Sequence, residues 1–392
     1  MRRTTLLLLF LVVPPAFAQT AADISFQRTF LLRNAAGTSF NPGPTPHHPL
    51  LFERGAWTAF FEGAAFATYT SETGPEEQRN ELFSTNWLAA GVQWTAGRRG
   101  LLLLRGRVSL EPYTIPDQGY PQILQFVSAG SGGPLLDSMR PHDLVGEAAA
   151  HFAFRTSNAS FLHLYAAPVG TPALGPVPYA QRSSSEEFAE APFAYDVQET
   201  MLDSTSVVTA GFASRWISLE GSVFHDAVTE SPHTTIESGD IDSRSARLTL
   251  TPGRNLAIQV SRGELGDDER EITTASLTWA GSAASLSLIY TDRDDLDSGG
   301  AETTFRFGRS TFMLRAETVD RPPGFLDEPD VKRTSHFTIG YIYDFIARNG
   351  IRTGIGFNFD YHTQTHDIED IYGHKPQTLY LFGRIRTDAL RR

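Results

Sequence analysis

A single transmembrane antiparallel β-barrel is the fold this sequence predicts, and three observations predict it. Small or apolar residues alternate with polar ones over segments of eight to twelve residues, sixteen times along the chain, with almost no helical period. The connections between those segments run long, short, long, short to the end. Tryptophan and tyrosine gather near segment ends. A soluble sandwich or propeller has no reason to alternate its connections so strictly. An outer-membrane barrel does: short periplasmic turns, long extracellular loops, an even strand count and both termini on the periplasmic side. About sixteen strands are expected, within fourteen to eighteen.

The N-terminus points to export. Arg2-Arg3 is a short basic region, Leu6 to Val13 an apolar run, and Ala16-Phe17-Ala18 a small-residue cleavage site ahead of Gln19. That is a Sec-type signal peptide over residues 1–18, too short to span a bilayer. No Cys follows the cleavage site, which excludes a lipoprotein. Losing Arg2 and Arg3 takes the formal net charge from −12 to −14. With 0 Cys the exported chain has no disulfide framework and no thiolate metal site. No other apolar run approaches the length of a transmembrane helix. An acidic balance without a basic patch excludes nucleic acid. Length alone allows two domains, but no linker, charge block or change of period separates halves. The division expected is a flexible periplasmic arm over 19–56, containing Pro42-Gly43-Pro44 and the His47-His48 pair, and a barrel over 57–392.

The sixteen segments are 57–69, 86–95, 101–110, 143–155, 159–167, 206–214, 217–225, 242–251, 256–262, 272–279, 283–292, 301–307, 311–320, 335–343, 351–361 and 378–386. The short connections carry hairpin-turn chemistry, as in Thr156-Ser157-Asn158, Pro252-Gly253-Arg254-Asn255 and Ala347-Arg348-Asn349-Gly350. The long ones, about 70–85, 111–142, 168–205, 226–241, 263–271, 293–300, 321–334 and 362–377, hold most of the Pro, Asp and Glu. Segment faces differ: Phe312, Leu314 and Ala316 oppose Arg315 and Glu317, and Ile355, Phe357 and Phe359 oppose Arg352, Asn358 and Asp360. One face suits lipid and the other a wet lumen. Trp57, Tyr69, Trp94, Tyr165, Trp216, Trp279, Tyr290, Tyr361 and Tyr380 are expected in the interfacial girdle.

The connection over 111–142 stands apart. A loop of about thirty residues is usually functional or disordered, and this one carries enough Leu, Ile, Tyr and Phe to fold. Its candidate constriction residues are Glu111, Tyr120, Gln122, Gln125, Asp137, Arg140, His142 and Asp143. Asp137 and Asp143 are placed to accept backbone N–H groups and pin the loop at or into the mouth. Candidate lumen residues are Arg105, Arg107, Glu147, His151, His163, Glu220, Arg247, Arg315, Glu317, Arg352 and Asp360. Mixed charges of this kind either line a wet path or pair up to block one.

No metal site is predicted. Asp143, Glu147 and His151 share a strand face, but a spacing of four puts neighbours about 13 Å apart, too far for one ion. The acidic clusters Asp294-Asp295-Asp297 and Glu264-Asp267-Asp268-Glu269 lack calcium-loop spacing. Catalysis is not expected either. The chain has no Gly-x-Ser-x-Gly, no His-Glu-x-x-His and no phosphate-cradling glycine loop. Ser160 and His163 have opposite strand parity and point to opposite faces.

The loop and its flanks carry a resemblance. Ser109-Leu110-Glu111-Pro112, Gly119-Tyr120-Pro121-Gln122-Ile123-Leu124-Gln125, Pro134-Leu135-Leu136-Asp137 and Pro141-His142-Asp143-Leu144 resemble a family of bacterial outer-membrane β-barrel proteins with no settled activity. Leu164-Tyr165-Ala166-Ala167-Pro168, Asp203-Ser204-Thr205 and Leu219-Glu220-Gly221 extend the likeness, which reaches back to Gly37-Thr38-Ser39. Some members look associated with copper or heavy-metal efflux, and many carry Met- and His-rich stretches and a second His before the Pro-His-Asp. Here Arg140 holds that position, Ser206 replaces a frequent His, and the chain has only 4 Met. No metal ligand set is therefore carried over.

These features imply a protein of the cell outer membrane, without a cofactor. The partners expected are membrane lipid, lipopolysaccharide and the barrel-assembly machinery. The polar strand face points to porin-like passage of small polar solutes or ions, with loop 111–142 at the mouth. Two alternatives stay open: a plugged, non-conducting barrel that binds a surface partner, and a metal-associated barrel.

Overall fold

Alternation at period two folds as expected. The computed structural model describes residues 30–31, 33–46, 48–73, 79–97, 99–127, 135–198, 204–227, 233–267, 269–322, 330–363, 372–373 and 375–389. The predicted signal peptide and, in the predicted arm, residues 19–29, Leu32 and His47 lie outside them.

The strands are β1 (Leu50–Arg54), β2 (Trp57–Thr73), β3 (Leu82–Phe83), β4 (Asn86–Ala96), β5 (Gly100–Val108), β6 (Tyr120–Val127), β7 (Leu135–Met139), β8 (Val145–Arg155), β9 (Ser160–Val169) and β10 (Ser204–Ser214). The second half comprises β11 (Ile217–Asp226), β12 (Ser243–Leu250), β13 (Leu256–Leu265), β14 (Arg270–Ala280), β15 (Ala284–Arg293), β16 (Leu296–Phe307), β17 (Ser310–Arg321), β18 (Lys332–Arg348), β19 (Ile351–Thr363) and β20 (Gln377–Thr387). Two short helices, α1 (Glu111–Thr114) and α2 (Tyr195–Gln198), lie in connections.

Sixteen strands, β2, β4, β5 and β8–β20, pair antiparallel with their neighbours and close into a barrel. Closure comes from β20 on β2, from Ala64↔Arg386 to Thr73↔Gln377. Below it β1 takes the same edge of β2, from Leu50↔Phe61 to Arg54↔Trp57. The first and last turns of the wall thus share one long strand. The β6–β7 hairpin forms a separate small sheet. Each of the sixteen predicted segments coincides with one barrel strand.

Two expected long connections are tight. β13 and β14 meet around Gly266 to Glu269, and β15 and β16 around Asp294-Asp295. Gly299-Gly300 read as loop, but both lie in β16 opposite Thr318 and Glu317. Asp294 and Asp295 have φ of 52° and 67°. Aspartate tolerates the left-handed region, which a two-residue hairpin turn requires.

The outer face is the apolar one. Leu88, Leu104, Phe152, Leu164, Leu219, Leu288, Leu314, Phe337, Ile355 and Leu381 are exposed, while their strand neighbours are buried inside. Of the residues named in the girdle expectation, Trp57, Tyr69, Trp94, Trp216, Trp279 and Tyr290 are exposed. Trp57 and Trp94 stack with ring centroids 6.0 Å apart. It fails for Tyr165 and Tyr380, which are wholly buried. Their inward parity turns each hydroxyl to a polar partner, Tyr165 to Glu147 at 2.8 Å and Tyr380 to the Pro121 carbonyl at 3.1 Å. A buried phenol needs such a partner.

The predicted flexible arm needs correction over its described part. Phe30 to Pro46 packs inside the barrel at the short-turn end, with Phe30, Ala36 and Thr38 buried. The Gly43 N–H donates to the Arg254 carbonyl in a short turn at 2.8 Å. Gly37 is required there: its φ is 59°, and a Cβ would collide with the Thr171 carbonyl. The physical reason is polar matching. This Pro- and Gly-containing stretch offers backbone groups that the lumen's charged side chains satisfy.

Candidate functional site: the filled lumen

The candidate constriction residues fold inward together. Glu111, at the start of α1, accepts the His142 N–H at 2.7 Å and the Asn86 N–H at 3.0 Å, and contacts His142 Nδ1 at 2.6 Å. That closes the loop at its base. Tyr120 stacks on Phe83 at 4.5 Å, and its hydroxyl accepts the Ala191 N–H at 2.9 Å. Gln122 donates to the Ala191 carbonyl at 3.0 Å, and Gln125 donates to Gln122 at 3.2 Å. Asp137 accepts the Leu124 N–H at 2.6 Å and the Tyr372 hydroxyl at 2.8 Å. Leu124 and Asp137 have φ of 61° and 53°, so the hairpin is bulged where they meet. Arg140 is buried. Asp143 pairs with the His233 ring at 2.9 Å.

Sequence reasoning gave loop 111–142 the leading part and missed the larger occupant. Residues 170–198, between β9 and β10, are almost wholly buried inside the barrel. Loop and wall are matched charge to charge. Arg182 holds Glu302 at 2.5 Å. Glu187 pairs with Arg384 and with Arg386, the latter at 2.8 Å. Glu186 meets His48 at 3.1 Å, Arg386 at 3.3 Å and Arg306 at 3.4 Å. Glu190 lies 3.6 Å from Arg315 and accepts from Asn358 at 2.5 Å. The Phe193 and Ala194 N–H groups donate to Glu317 at 2.8 and 3.2 Å. Arg315 and Arg321 lie over the rings of Phe188 and Phe193 at 3.9 and 4.2 Å. The sequence signal was available: Glu186, Glu187 and Glu190 fall in one connection while Arg306, Arg315, Arg384 and Arg386 sit at inward strand positions.

The lumen residues predicted from parity all face inward, and most bind a named neighbour. Arg105 binds Glu147 at 2.8 Å, the Gly37 carbonyl at 2.9 Å and Asn34 at 3.0 Å. Arg107 donates to the Gly146 carbonyl at 3.2 Å. His151 and His163 contact each other at 3.2 Å, and His163 lies 3.8 Å from Glu220. Arg247 binds Glu220 at 3.0 Å and Thr38 at 2.7 Å. Arg352 bridges Asp344 and Asp388, each at 2.9 Å, near the short turns. Asp360 sits beside His336 and His362, two histidines that were not singled out from sequence.

The loop carboxylates are tuned in opposite directions. Burial raises Glu186, but Arg386, His48 and Arg306 together pull it well below the usual carboxylate range. Burial and then the neighbouring Asp360 carboxylate push Glu190 up to about 7, against the pull of Arg315. Asp388, past the end of β20, is raised by burial but drawn down to about 2 by His48 and Arg352.

The lumen also has its own apolar core. Ile115, Tyr120, Val127, Met139, Tyr179, Ala191 and Tyr195 cluster between the hairpin and the 170–198 loop. Ile123, Leu124, Phe193, Val197 and Val319 form a second cluster beside it. Two chemistries thus seat the inserted segments: apolar contact with each other and ion pairs with the wall.

A closed sixteen-stranded wall with an apolar outer face and inserted loops defines a β-barrel of the outer-membrane porin architecture. Solved structures resemble the chain at low sequence identity. OmpF of Salmonella typhi, in complex with daunomycin, matches at a TM-score of 0.55 and 8% identity, over 86% of this chain and 100% of that one. A loop-deletion mutant of OmpT, an outer membrane protein of Vibrio cholerae, matches at 0.47 and 10% identity, over 85% and 100%. A triple mutant of the Rhodopseudomonas blastica porin matches at 0.42 and 10%, over 84% and 99%. No protein-family model and no curated protein matches the chain.

Proposed function

We propose that this protein is an outer-membrane barrel that stands closed, its channel filled by its own inserted segments. One observation carries the reading. Thr304, Arg315, Thr338, Asp360 and Arg384 point into the lumen from different strands, and each is 0–1% exposed. An aqueous pore would wet them. The resident surface is the cell outer membrane, with lipid and lipopolysaccharide on the apolar face and the long connections outside. The exposed parts of those connections are the surface offered to a partner. No catalytic step enters the reading.

Planar-bilayer recording of the refolded mature chain tests it. The expected result is no steady conductance under conditions in which a general porin conducts. A stable open channel would overturn the closed reading in favour of porin-like passage of small polar solutes. That second reading is favoured by the fold shared with OmpF. It requires the 170–198 loop to leave its seat, and liposome swelling would then report the solutes admitted.

A further inference from the structure

One cluster of titratable side chains in the lumen holds a wholly unpartnered imidazole. His336 on β18 stands directly opposite His362 on β19, and Asp360 lies two residues before His362 on the same face. The three residues are 3%, 0% and 0% exposed for His336, Asp360 and His362. The imidazoles stack with centroids 4.7 Å apart and planes 10° apart. Among the described residues, neither ring nitrogen of His362 has a hydrogen-bond partner, and the Asp360 carboxylate has only the His336 ring beside it. His336 Nε2 lies 3.0 Å from Asp360 and its Nδ1 3.6 Å from Glu317. A dry imidazole with two idle nitrogens is an uncompensated desolvation. The imidazole lone pair is available to a ligand.

We infer that His336, Asp360 and His362 form a binding site for a divalent transition-metal ion of borderline softness, of the Zn2+ class. Two imidazoles and one carboxylate supply the ligand types that such ions take, leaving an open position for water or a fourth side chain. One ligand atom from each residue falls within 4.8 Å of the others. Tetrahedral ligands about 2.1 Å from one ion lie about 3.4 Å apart, so the widest pair closes by up to about 1.4 Å on binding. Rotation of the stacked rings on two paired strands provides it. The charge environment fits a dication: Glu317 and Glu190 add carboxylates around Asp360, balanced only in part by Arg315, 3.9 Å from Glu317 and 3.6 Å from Glu190. Phe193 of the inserted loop covers the cluster, 5.0 Å from the His336 ring and 5.8 Å from the His362 ring. Its cover excludes water and thereby strengthens the ion's interactions. The competing account is an imidazolium of His336 held between Asp360 and Glu317, which leaves His362 idle.

The test uses the untagged, full-length mature barrel, stripped with chelator and equilibrated with Zn2+ alone. One zinc per chain is expected to survive gel filtration, with a zinc-edge X-ray absorption spectrum showing two imidazoles and light-atom ligands. His362→Gln removes a ligand without breaking a hydrogen bond. It is expected to weaken zinc binding by at least about tenfold while leaving heat-modifiable gel migration unchanged. His225→Gln, at the separate pair with Asp242, is expected to retain zinc. No zinc retained by the wild type, zinc retained unchanged by His362→Gln, or a spectrum without imidazole would each overturn the site. The spectrum is read on the wild type, so the test survives a variant that fails to fold.

Discussion

Glu186 and Glu190 belong to one loop and answer pH in opposite senses. A carboxyl held below its ordinary value contributes seating energy that is present above about pH 4.5 and lost as pH falls. Glu190, raised to about 7, works the other way: the seated loop holds its proton better than a released loop does. Its burial is tolerated below about pH 4.5 and becomes progressively costly from there up to 7. In the chelator-stripped protein, seating is therefore expected to be tightest near pH 5 and looser at pH 8. A nitroxide on Ala180→Cys, in a chain with 0 native Cys, should show a larger mobile fraction at pH 8, and Glu190→Gln should abolish the change. An identical response in both proteins would remove Glu190 from the argument. Glu187→Gln tests the pairing itself. It leaves Arg384 with Asp344 and Arg386 with Glu186 alone, so the cost falls below the roughly 3–5 kcal/mol of a fully orphaned buried charge. The same label should then report a mobile loop at every pH.

At the level of elements, wall and insert follow different rules, and two predictions separate them. Ser184 of the loop and Ser287 of β15 share a hydrogen bond at 2.7 Å between hydroxyls. Paired Ser184→Cys and Ser287→Cys substitutions should oxidise spontaneously and staple the loop to the wall. The readout is a mobility difference on unreduced gels that dithiothreitol reverses; failure to crosslink would mean the loop does not sit there in the membrane. Leu314→Arg on β17 faces lipid, one residue from the buried Arg315. It should cost about 2–4 kcal/mol in reversible folding into vesicles, if the residue lies near the midplane. The wall was legible for the reason this contrast shows. Period-two alternation fixes which residues face lipid, so Phe312, Leu314 and Arg315 could be assigned from sequence alone. The inserts follow no period. Gly299-Gly300 looked like a turn because glycine signals both turns and close strand approach. Residues 30–46 looked flexible because their partners, Arg105, Glu147 and Arg247, are distant in sequence. His336 and His362 were invisible as a pair because register, not spacing, brings them together.

For the whole molecule, closure has a hierarchy that deletion can expose. The β6–β7 hairpin rests on the 170–198 loop through Tyr120 and Gln122, both bonded to Ala191. The loop is anchored separately to β16, β17 and β20 through Arg182–Glu302, Arg315–Glu190 and Arg386–Glu187. Removing residues 117–138 takes away the hairpin but none of those anchors. Such a barrel should still hold its 170–198 loop and record near the baseline conductance. Replacing residues 172–198 by a short Gly-Ser turn removes the matched carboxylates and the apolar filling together. The arginines left on the wall then hydrate, and a lumen of this strand number becomes wide enough for water and ions. Steady channels should appear, narrowed at the short-turn end by residues 30–46. If instead the 117–138 deletion opens channels and the 172–198 deletion does not, the hairpin is the gate and the ion pairs along the 170–198 loop serve only to build the wall.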